Sequence, residues 1–264
     1  MVYRFDRAIV REPAPSVVDG LRAVDRGAPT LDGVRAEQAA YIAALEDAGA
    51  RVDVLPPLDG FPDSLFVEDP ALVFAEAAIV LRPGAPSRAG EAAALRPELE
   101  RRFPRVLALE DGHADGGDVL VTPGAVFIGL SARTDRAGAA ALARALAALG
   151  RKAVVVEPPP GVLHLKTACS LLDEDRLLVT RELDAMPEFA GFERLVVPAD
   201  EEAAANALRV NDRVLLSAGH PRTRDRLDAD GYRVVELETR QVGLLDAGLS
   251  CLSLRWSRGS WGST

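Results

Sequence analysis

Val119-Leu120-Val121-Thr122-Pro123-Gly124-Ala125-Val126-Phe127-Ile128-Gly129-Leu130 consists of two short apolar runs separated by a turn. Because Thr, Pro and Gly favour turns, the stretch predicts two paired strands, Val119 to Val121 and Val126 to Leu130. An alanine-rich helical pattern follows from Asp135 to Leu149, and Lys152 to Val156 predicts a third strand. These elements form a unit of strand, strand, helix and strand, or ββαβ.

The same ββαβ order recurs in three other parts of the chain. Each copy starts with two short strands joined by a tight turn. The third copy has a poorly patterned helix between its second and third strands. The predicted elements are Ala71 to Phe74, Ala78 to Arg82, a helix from Arg88 to Phe103 and Arg105 to Leu109; Cys169 to Leu172, Leu177 to Thr180 and Arg194 to Val197; and Ala207 to Val210, Val214 to Ser217, a helix from Pro221 to Ala229 and Tyr232 to Leu237.

A fifth unit is divided between the two ends of the chain. Leu249 to Arg255 predicts its first strand, and the N-terminal segment supplies a strand (Arg7 to Val10), a helix (Val34 to Ala48) and a strand (Arg51 to Leu55). Regular repeats of this length, completed by the opposite terminus, indicate an α/β protein that closes into a ring of ββαβ units. An ordinary mixed α/β sandwich is the alternative.

Composition restricts the classes of protein that this chain can belong to. With 264 residues, 48% of them hydrophobic and 27% charged, we expect a single domain over residues 1–264. The net charge of -9 disfavours nucleic acid and anionic membranes as partners and suits a small cation. Two cysteines provide neither a disulfide framework nor a multi-thiolate metal site. The absence of an apolar span or signal segment predicts a soluble, cytoplasmic protein.

Chemically capable side chains lie just before the first strands of several units. Cys251 follows Gly248-Leu249-Ser250, His164 stands between two leucines, and Glu68-Asp69 and Asp115 precede strands. Taken singly, each has an ordinary structural interpretation: a buried thiol, a core histidine or a solvated turn. In a closed ring, however, the entrances of all units converge on the axis. One pocket could then contain a nucleophile, a proton-transfer group and the acid that orients it.

Six segments, in this order along the chain, resemble the dimethylarginine dimethylaminohydrolase family. They are Phe66-Val67-Glu68-Asp69-Pro70, Arg82-Pro83-Gly84-Ala85-Pro86-Ser87-Arg88, Asp115-Gly116-Gly117-Asp118, Gly129-Leu130-Ser131-Ala132-Arg133-Thr134, Leu163-His164-Leu165-Lys166-Thr167 and Gly248-Leu249-Ser250-Cys251. The resemblance implies a five-bladed α/β propeller with pseudo-fivefold symmetry. It also implies hydrolysis of N-omega-methylated arginines to citrulline and a methylamine, without a cofactor or a metal.

The resemblance also implies a role for each matching position. Cys251 would be the nucleophile, His164 the proton-transfer group and Asp115 the carboxylate that orients it. Some bacterial relatives carry Glu at that last position. The substrate-binding set would comprise the guanidinium-side acids Asp63, Glu68 and Asp69, a carboxylate clamp of Arg88 and Arg133, and the backbone of Leu21 and Leu245 at the amino-acid end of the pocket.

These residue types suit the reaction. A guanidinium is planar, delocalised and cationic, so a soft thiolate and flanking carboxylates that fix its plane are what attack on its carbon requires. The same acids disfavour a second anion, which predicts that Cys251 rests as a neutral thiol and ionises when the cationic substrate arrives.

Three other interpretations remain open. The first is hydrolysis of unmodified arginine, as in arginine deiminases, which typically carry an added helical domain. The second is metal-dependent hydrolysis with Asp115, His164 and Cys251 as zinc ligands. The third is a catalytically silent ring that binds an arginine-like ligand. Exposed strand edges or an apolar helix face could support a homodimer, and Val17 to Pro29 is a candidate lid because it contains Gly20 and Gly27.

Overall fold

The computed structural model describes residues 1–258, in which the strands form five sheets of three strands each. The strands are β1 (Arg7–Arg11), β2 (Arg51–Leu55), β3 (Ala71–Val73), β4 (Ala78–Val80), β5 (Val106–Ala108), β6 (Val119–Val121), β7 (Val126–Gly129), β8 (Ala153–Val156), β9 (Cys169–Asp173), β10 (Arg176–Val179), β11 (Glu193–Val196), β12 (Leu208–Val210), β13 (Arg213–Ser217), β14 (Arg233–Leu237) and β15 (Leu254–Trp256). The α-helices are α1 (Leu31–Asp47), α2 (Glu91–Arg102), α3 (Arg136–Ala148), α4 (Arg181–Asp184), α5 (Pro221–Ala229) and α6 (Arg240–Gly243).

All five sheets have the same topology. The first strand pairs antiparallel with the second, and the second pairs parallel with the third; in the sheet β6-β7-β8, Val119 lies opposite Ile128 and Val126 lies opposite Ala153. A parallel pair needs a crossover connection, and helices such as α1, α2, α3 and α5 supply it. β1 pairs antiparallel with β15 and parallel with β2. The N-terminal segment therefore completes the fifth unit, which confirms the prediction.

The hydrophobic core consists of clusters that each join two neighbouring units. Following the chain from β3, the clusters connect the first unit to the second, the second to the third, the third to the fourth, the fourth to the fifth, and the fifth back to the first. Representative pairs from these clusters are Leu72 with Val119, Phe127 with Leu177, Leu178 with Val214, Leu215 with Val10, and Ile9 with Val80. Five sheets linked in this closed order bring the starts of their first strands together.

Local sequence signals determine where the longer helices begin. Thr30 caps α1 by accepting a hydrogen bond from the backbone N–H of Gly33, and Asp135 caps α3 in the same way from Gly138. The buried face of α3 carries Leu142 and Leu146, which pack against the sheet. None of the helices in residues 1–258 is long and apolar enough to cross a membrane.

Two predicted elements differ from the structure. The prediction of a strand from Leu249 to Arg255 is wrong in its first half, because Leu249–Leu252 forms a 3-10 helix and the strand begins only at Leu254. The turn is closed by the N–H of Cys251, which donates to the carbonyl of Gly248. In the third unit, the expected helix is reduced to the single turn α4 and a 3-10 helix at Pro187–Phe189, since Pro187 cannot donate within a longer helix.

Candidate active site

Asp115 and His164 are brought together by two 3-10 turns of neighbouring units. Asp115 precedes the turn Gly116–Asp118, and His164 caps the turn Leu165–Thr167. Oδ2 of Asp115 lies 3.2 Å from Nε2 of His164, and its Oδ1 accepts the N–H of Gly84 at 2.8 Å. Asp115 is fully buried, so its carboxylate is fixed from both sides. The Asp side chain is therefore long enough to reach the histidine.

The two glycines of the Asp115-Gly116-Gly117-Asp118 segment allow this close packing. A Cβ atom at Gly116 would lie 2.0 Å from the backbone oxygen of Glu68. A Cβ atom at Gly117 would lie 2.9 Å from Nδ1 of His164 and 3.0 Å from Oδ1 of Asp69. Side chains at these positions would displace the segment that carries the acids or the imidazole itself.

The surroundings of His164 favour its protonated form. Burial acts to lower the pKa of His164, but the hydrogen bond to Asp115 and the charges of Asp69 and Asp118 outweigh burial and raise it to about 9. The imidazole is therefore cationic at neutral pH. Since Nε2 faces Asp115, Nδ1 is the nitrogen that remains for another partner.

Cys251 lies in the 3-10 turn Leu249–Leu252, with 8% of its surface exposed. The turn is held by the N–H of Ser250, which donates to Oδ1 of Asn206 at 3.2 Å, and by the carbonyl of Cys251, which accepts the N–H of Glu68 at 3.4 Å. Burial and the charges of Asp69 and Glu68 raise the pKa of the Cys251 thiol to about 11. The resting thiol is neutral, as the sequence predicts. Asp69 acts on the pKa of both Cys251 and His164, which places this acid near both groups.

The adjacent acids Glu68 and Asp69 have different partners. Oε1 of Glu68 lies 2.6 Å from Nζ of Lys166 and 3.0 Å from Nη2 of Arg255. Its Oε2 is buried and has no hydrogen-bond partner within residues 1–258. Asp69 accepts the N–H of Gly117 at 3.0 Å on Oδ1 and binds Arg88 through Oδ2. Glu68 is thus the acid with an unused oxygen.

The two arginines of the expected carboxylate clamp differ in whether their guanidinium groups already have protein partners. Arg88 is 4% exposed, and its guanidinium donates to Asp69, to Glu91 at 2.6 Å and to the backbone carbonyl of Phe66 at 3.0 Å. The guanidinium of Arg133 has no hydrogen bond or ion pair within the described residues, although its charge lowers the pKa of Asp63 against the effect of burial. Arg133 is therefore free to bind a ligand, whereas Arg88 is already held.

Asp63, Leu21 and Leu245 meet around Gly20, so Asp63 lies beside the two leucines, whereas the resemblance groups it with the acids on the guanidinium side. Oδ1 of Asp63 accepts the N–H of Leu21 at 2.9 Å. A Cβ atom at Gly20 would lie 3.0 Å from this oxygen and 3.1 Å from Cδ2 of Leu245. Burial raises the pKa of Asp63. One carboxylate, the backbone N–H of Leu21 and the side chain of Leu245 therefore lie beside each other at this point.

Sequence reasoning missed Asp118, which is fully buried and holds three segments of the site. Oδ1 accepts the N–H of Leu165 at 2.9 Å, and Oδ2 accepts the hydroxyls of Ser131 at 2.6 Å and Thr134 at 2.7 Å. The hydroxyl of Thr134 in turn accepts the N–H of Asp115 at 3.1 Å. Asp118 belongs to the segment Asp115-Gly116-Gly117-Asp118, which the resemblance includes, but only Asp115 was given a role. The segment could therefore have indicated Asp118 as a second site residue.

Glu91, Lys166 and Arg255 were also missed. Glu91 stands three residues after Arg88 on the same helical face, so the spacing could have indicated an ion pair. Lys166 lies two residues after His164, within a segment of the resemblance. Arg255 belongs to the last strand, and nothing in the local sequence indicates its partner Glu68.

The only group within residues 1–258 with a ligand arrangement suitable for a metal ion comprises Asp69, Asp115 and His164, whose ligand atoms all lie within 4.8 Å of one another. Two features oppose metal binding. Asp69 is already paired with Arg88 and Gly117, and the histidine is protonated at neutral pH, whereas metal ligation needs neutral imidazole. Cys251 is not part of this group, so it differs from the zinc set considered from sequence.

Comparison with known proteins identifies the class. A family model described as arginine deiminase matches residues 95–193. The dimethylarginine dimethylaminohydrolase of Pseudomonas aeruginosa is 40% identical over 254 residues, covering 96% of this chain and 100% of the relative. That of Streptomyces coelicolor is 34% identical, covering 94% and 96%. A solved structure of the Pseudomonas aeruginosa enzyme, a cysteine-to-serine mutant complexed with citrulline, matches with a TM-score of 0.93 and 39% identity, covering 96% of this chain and 100% of that chain.

Repeated three-stranded α/β sheets around a thiol, an imidazole and buried acids define the class of guanidine-modifying enzymes. Within this class, the chain belongs to the dimethylarginine dimethylaminohydrolase family. The N-terminal domain of ArgZ, at 20% identity and a TM-score of 0.83, shares the fold alone.

Proposed function

We propose that the protein hydrolyses N-omega-methylated L-arginines to L-citrulline and dimethylamine or methylamine through a covalent thiouronium on Cys251. The observation that carries the proposal is the protonated His164, held by Asp115, beside the same buried acid that acts on the thiol. The names of the relatives and the citrulline complex of the Pseudomonas enzyme support the substrate class.

Substrate binding begins with charge. The guanidinium of the substrate replaces solvent between Cys251 and the acids Glu68 and Asp69. The unused Oε2 of Glu68 is a strong acceptor for one of its N–H groups. Its positive charge next to the thiol offsets the field that holds the pKa of Cys251 at about 11, and the thiol proton is lost to solvent.

The covalent steps follow from the protonation states. The thiolate attacks the guanidinium carbon to give a tetrahedral adduct. The carbon–nitrogen bond to the methylated nitrogen then breaks as His164 donates its proton, and the amine leaves. Neutral His164 next accepts a proton from water, whose oxygen attacks the same carbon. Cleavage of the carbon–sulfur bond releases citrulline, and the proton of the adduct's hydroxyl goes to the departing sulfur, which restores the neutral thiol. Because Nε2 is bound to Asp115, Nδ1 of His164 makes both transfers.

The amino-acid end of the substrate has its own contacts. The α-carboxylate binds Arg133, whose guanidinium is free, while Arg88 contributes mainly by holding Asp69 in position and by its charge. The α-ammonium group lies at Asp63, close to Leu21 and Leu245. This arrangement selects free amino acids over agmatine or peptidyl arginine.

Mass spectrometry of protein quenched during turnover of asymmetric dimethylarginine tests the proposal. We expect an adduct on the peptide that contains Cys251, together with citrulline and dimethylamine as products. Turnover without such an adduct, or full turnover by Cys251→Ala, would overturn it. Exhaustive chelation should leave the rate unchanged, and a rate restored only by added zinc would favour metal-dependent hydrolysis.

Hydrolysis of unmodified arginine is the second candidate, and the arginine deiminase family model over residues 95–193 is the observation that favours it. Both reactions share the covalent route and differ in the leaving amine. Rates on arginine, monomethylarginine and asymmetric dimethylarginine, measured side by side, separate them. A higher kcat/KM for arginine than for either methylated substrate would assign the protein to the second reaction.

We also propose that the five sheets are the blades of one α/β propeller and form a single catalytic domain. The shared topology of the sheets and the cyclic order of the core clusters support this. A free Cys251 thiol further suits a reducing compartment such as the cytoplasm.

A further inference from the structure

A second cavity lies behind the candidate active site. It has a volume of about 270 Å³ and is lined by the first strand of every unit, namely β3, β6, β9, β12 and β15. Cys251, His164 and Asp115 do not line it. Glu68 and its partner cations Lys166 and Arg255 do, so the ion pairs of Glu68 stand between the candidate active site and this rear cavity.

The charge of the rear cavity is opposite to that of the chain. Glu68 is the single acid among its described lining residues, beside five bases: Arg4, Arg151, Lys166, Arg209 and Arg255. Five positive charges and one negative charge give a net charge of +4 in a chain whose net charge is -9. Arg151 has an acid partner outside the cavity, Glu76 at 2.7 Å, and so provides less of this charge than Lys166. The candidate active site, which we call the front site, is lined by acids and suits a cation. The rear cavity suits an anion.

Several polar atoms of the rear wall have no partner. The hydroxyls of Ser170 and Ser250 and the Nε atoms of Arg151 and Arg255 are buried without a hydrogen bond within residues 1–258. Ser170 and Ser250 are 7% and 5% exposed. Oε2 of Glu68, another lining residue, is a fifth such atom and can only accept. Buried polar groups are rarely left unsatisfied, and the four hydroxyl and guanidinium atoms indicate that an acceptor-bearing ligand or water completes them. All four can donate.

The remaining wall is apolar, with Leu72, Phe74, Leu120, Leu171 and Trp256 among its residues. A lining that combines apolar and basic side chains fits a molecule that has one anionic group and a hydrocarbon body. Inorganic phosphate or sulfate would leave the apolar wall without a partner. The volume restricts the ligand to a small molecule, since it is just below the range of about 300–1,000 Å³ for ligand pockets.

We propose that the rear cavity is a binding site for a small organic carboxylate, distinct from the substrate site. The carboxylate lies near Lys166 and Arg255, and the hydrocarbon body lies along β3, β9 and β15. This site does not depend on the reaction proposed for Cys251, because its test measures binding alone.

Isothermal titration of the full chain with three probes of equal length tests the charge preference. The probes are hexanoate, hexanamide and hexylammonium. We expect saturable binding of hexanoate at one site per chain, with hexanamide weaker by roughly tenfold or more because it lacks the charge-assisted bonds. Hexylammonium should not bind there. Absence of hexanoate binding, or equal binding of the three probes, would overturn the proposal.

Competition and variants locate the probe. L-citrulline, as a front-site ligand, should not displace hexanoate; displacement would place the probe in the front site and overturn the proposal. Ser170→Leu fills the cavity and should weaken hexanoate by roughly tenfold or more. Arg151→Gln at the rim should weaken it severalfold, while the matched surface variant Arg181→Gln should not. If Ser170→Leu does not fold, the comparison of Arg151→Gln with Arg181→Gln decides: equal affinities for the two would overturn the rear location.

Discussion

Nε2 of His164 lies 3.2 Å from Oδ2 of Asp115, and this contact determines which nitrogen of the imidazole is available for chemistry. The acid is fully buried and its other oxygen is taken by Gly84, so it cannot turn away. In the proposed mechanism, Nδ1 is therefore the atom that exchanges a proton with the substrate. The raised pKa of His164, about 9, ensures that this proton is present at neutral pH.

Replacing Asp115 should mainly affect kcat. Asp115→Asn keeps the shape but loses the charge that supports the imidazolium, and we expect kcat to fall by roughly 10²- to 10⁴-fold with KM little changed. Asp115→Glu retains the charge and should recover part of the loss. Steady-state kinetics on asymmetric dimethylarginine checks both. Equal activity of the Asn variant and the wild type would remove Asp115 from the mechanism.

Gly117→Ala tests whether the close packing beneath the imidazole is required. Its Cβ would lie 2.9 Å from Nδ1 of His164, so the imidazole ring or the backbone at residue 117 must shift from its present position. A displacement of this kind should lower kcat by about 10²-fold. Gly124→Ala is the matched control, because a Cβ atom there meets nothing within 4 Å. If the two variants were equally active, the packing at Gly117 would have no role in catalysis.

The ionisation of Cys251 should depend on the substrate. With the pKa of the thiol at about 11, the empty enzyme should show little thiolate at neutral pH, and a nonreactive guanidinium ligand should shift the titration to lower pH. Ultraviolet absorbance of the thiolate, titrated with and without the ligand, measures the shift. Cys251→Ser identifies any signal from Cys169, whose pKa burial raises to about 12. Full ionisation of the empty enzyme at pH 7 would contradict the assignment.

The repeat was readable from the sequence because each unit repeats the same alternation of short apolar runs and turn residues. Gly116 and Gly117 permit a close backbone approach, and the structure has such approaches at Glu68 and His164. The 3-10 turn at Cys251 was not predictable, since Leu249 to Leu254 has the composition of a strand. Its shape is determined by Asn206, which is distant in sequence and holds the N–H of Ser250.

Long-range ion pairs explain the other omissions. The family resemblance implied that Arg88 binds the substrate carboxylate, but it could not show that Asp69 and Glu91 already occupy this guanidinium. The pairing of Glu68 with Lys166 and Arg255 depends likewise on three units meeting at one point. Local patterns predict elements, whereas partners of buried charges require the closed arrangement of those elements.

Asp118→Asn should shift the pH dependence as well as the stability. The carboxylate of Asp118 raises the pKa of His164, so its removal should lower that pKa from about 9 and move the alkaline limb of kcat to lower pH. The lost charge-assisted bonds to Leu165, Ser131 and Thr134 should cost about 1–3 kcal/mol of unfolding free energy. Asp175→Asn, at an exposed turn, is the control. A loss of stability without a shift of the alkaline limb would restrict Asp118 to a structural role.

Arg133 should determine recognition of the substrate carboxylate. Its guanidinium is free of protein partners, whereas Arg88 is bound to Asp69 and Glu91, so Arg133→Gln removes a ligand contact without leaving a buried charge unpaired. We expect KM for asymmetric dimethylarginine to rise by roughly 10- to 100-fold while kcat changes little, because a charge-assisted hydrogen bond is lost far from the guanidinium carbon. For a substrate analogue without the α-carboxylate, kcat/KM should be the same in Arg133→Gln and in the wild type. If the variant impaired both substrates equally, Arg133 would act on the guanidinium end or on the fold, and the orientation of the substrate in the pocket would have to be reversed.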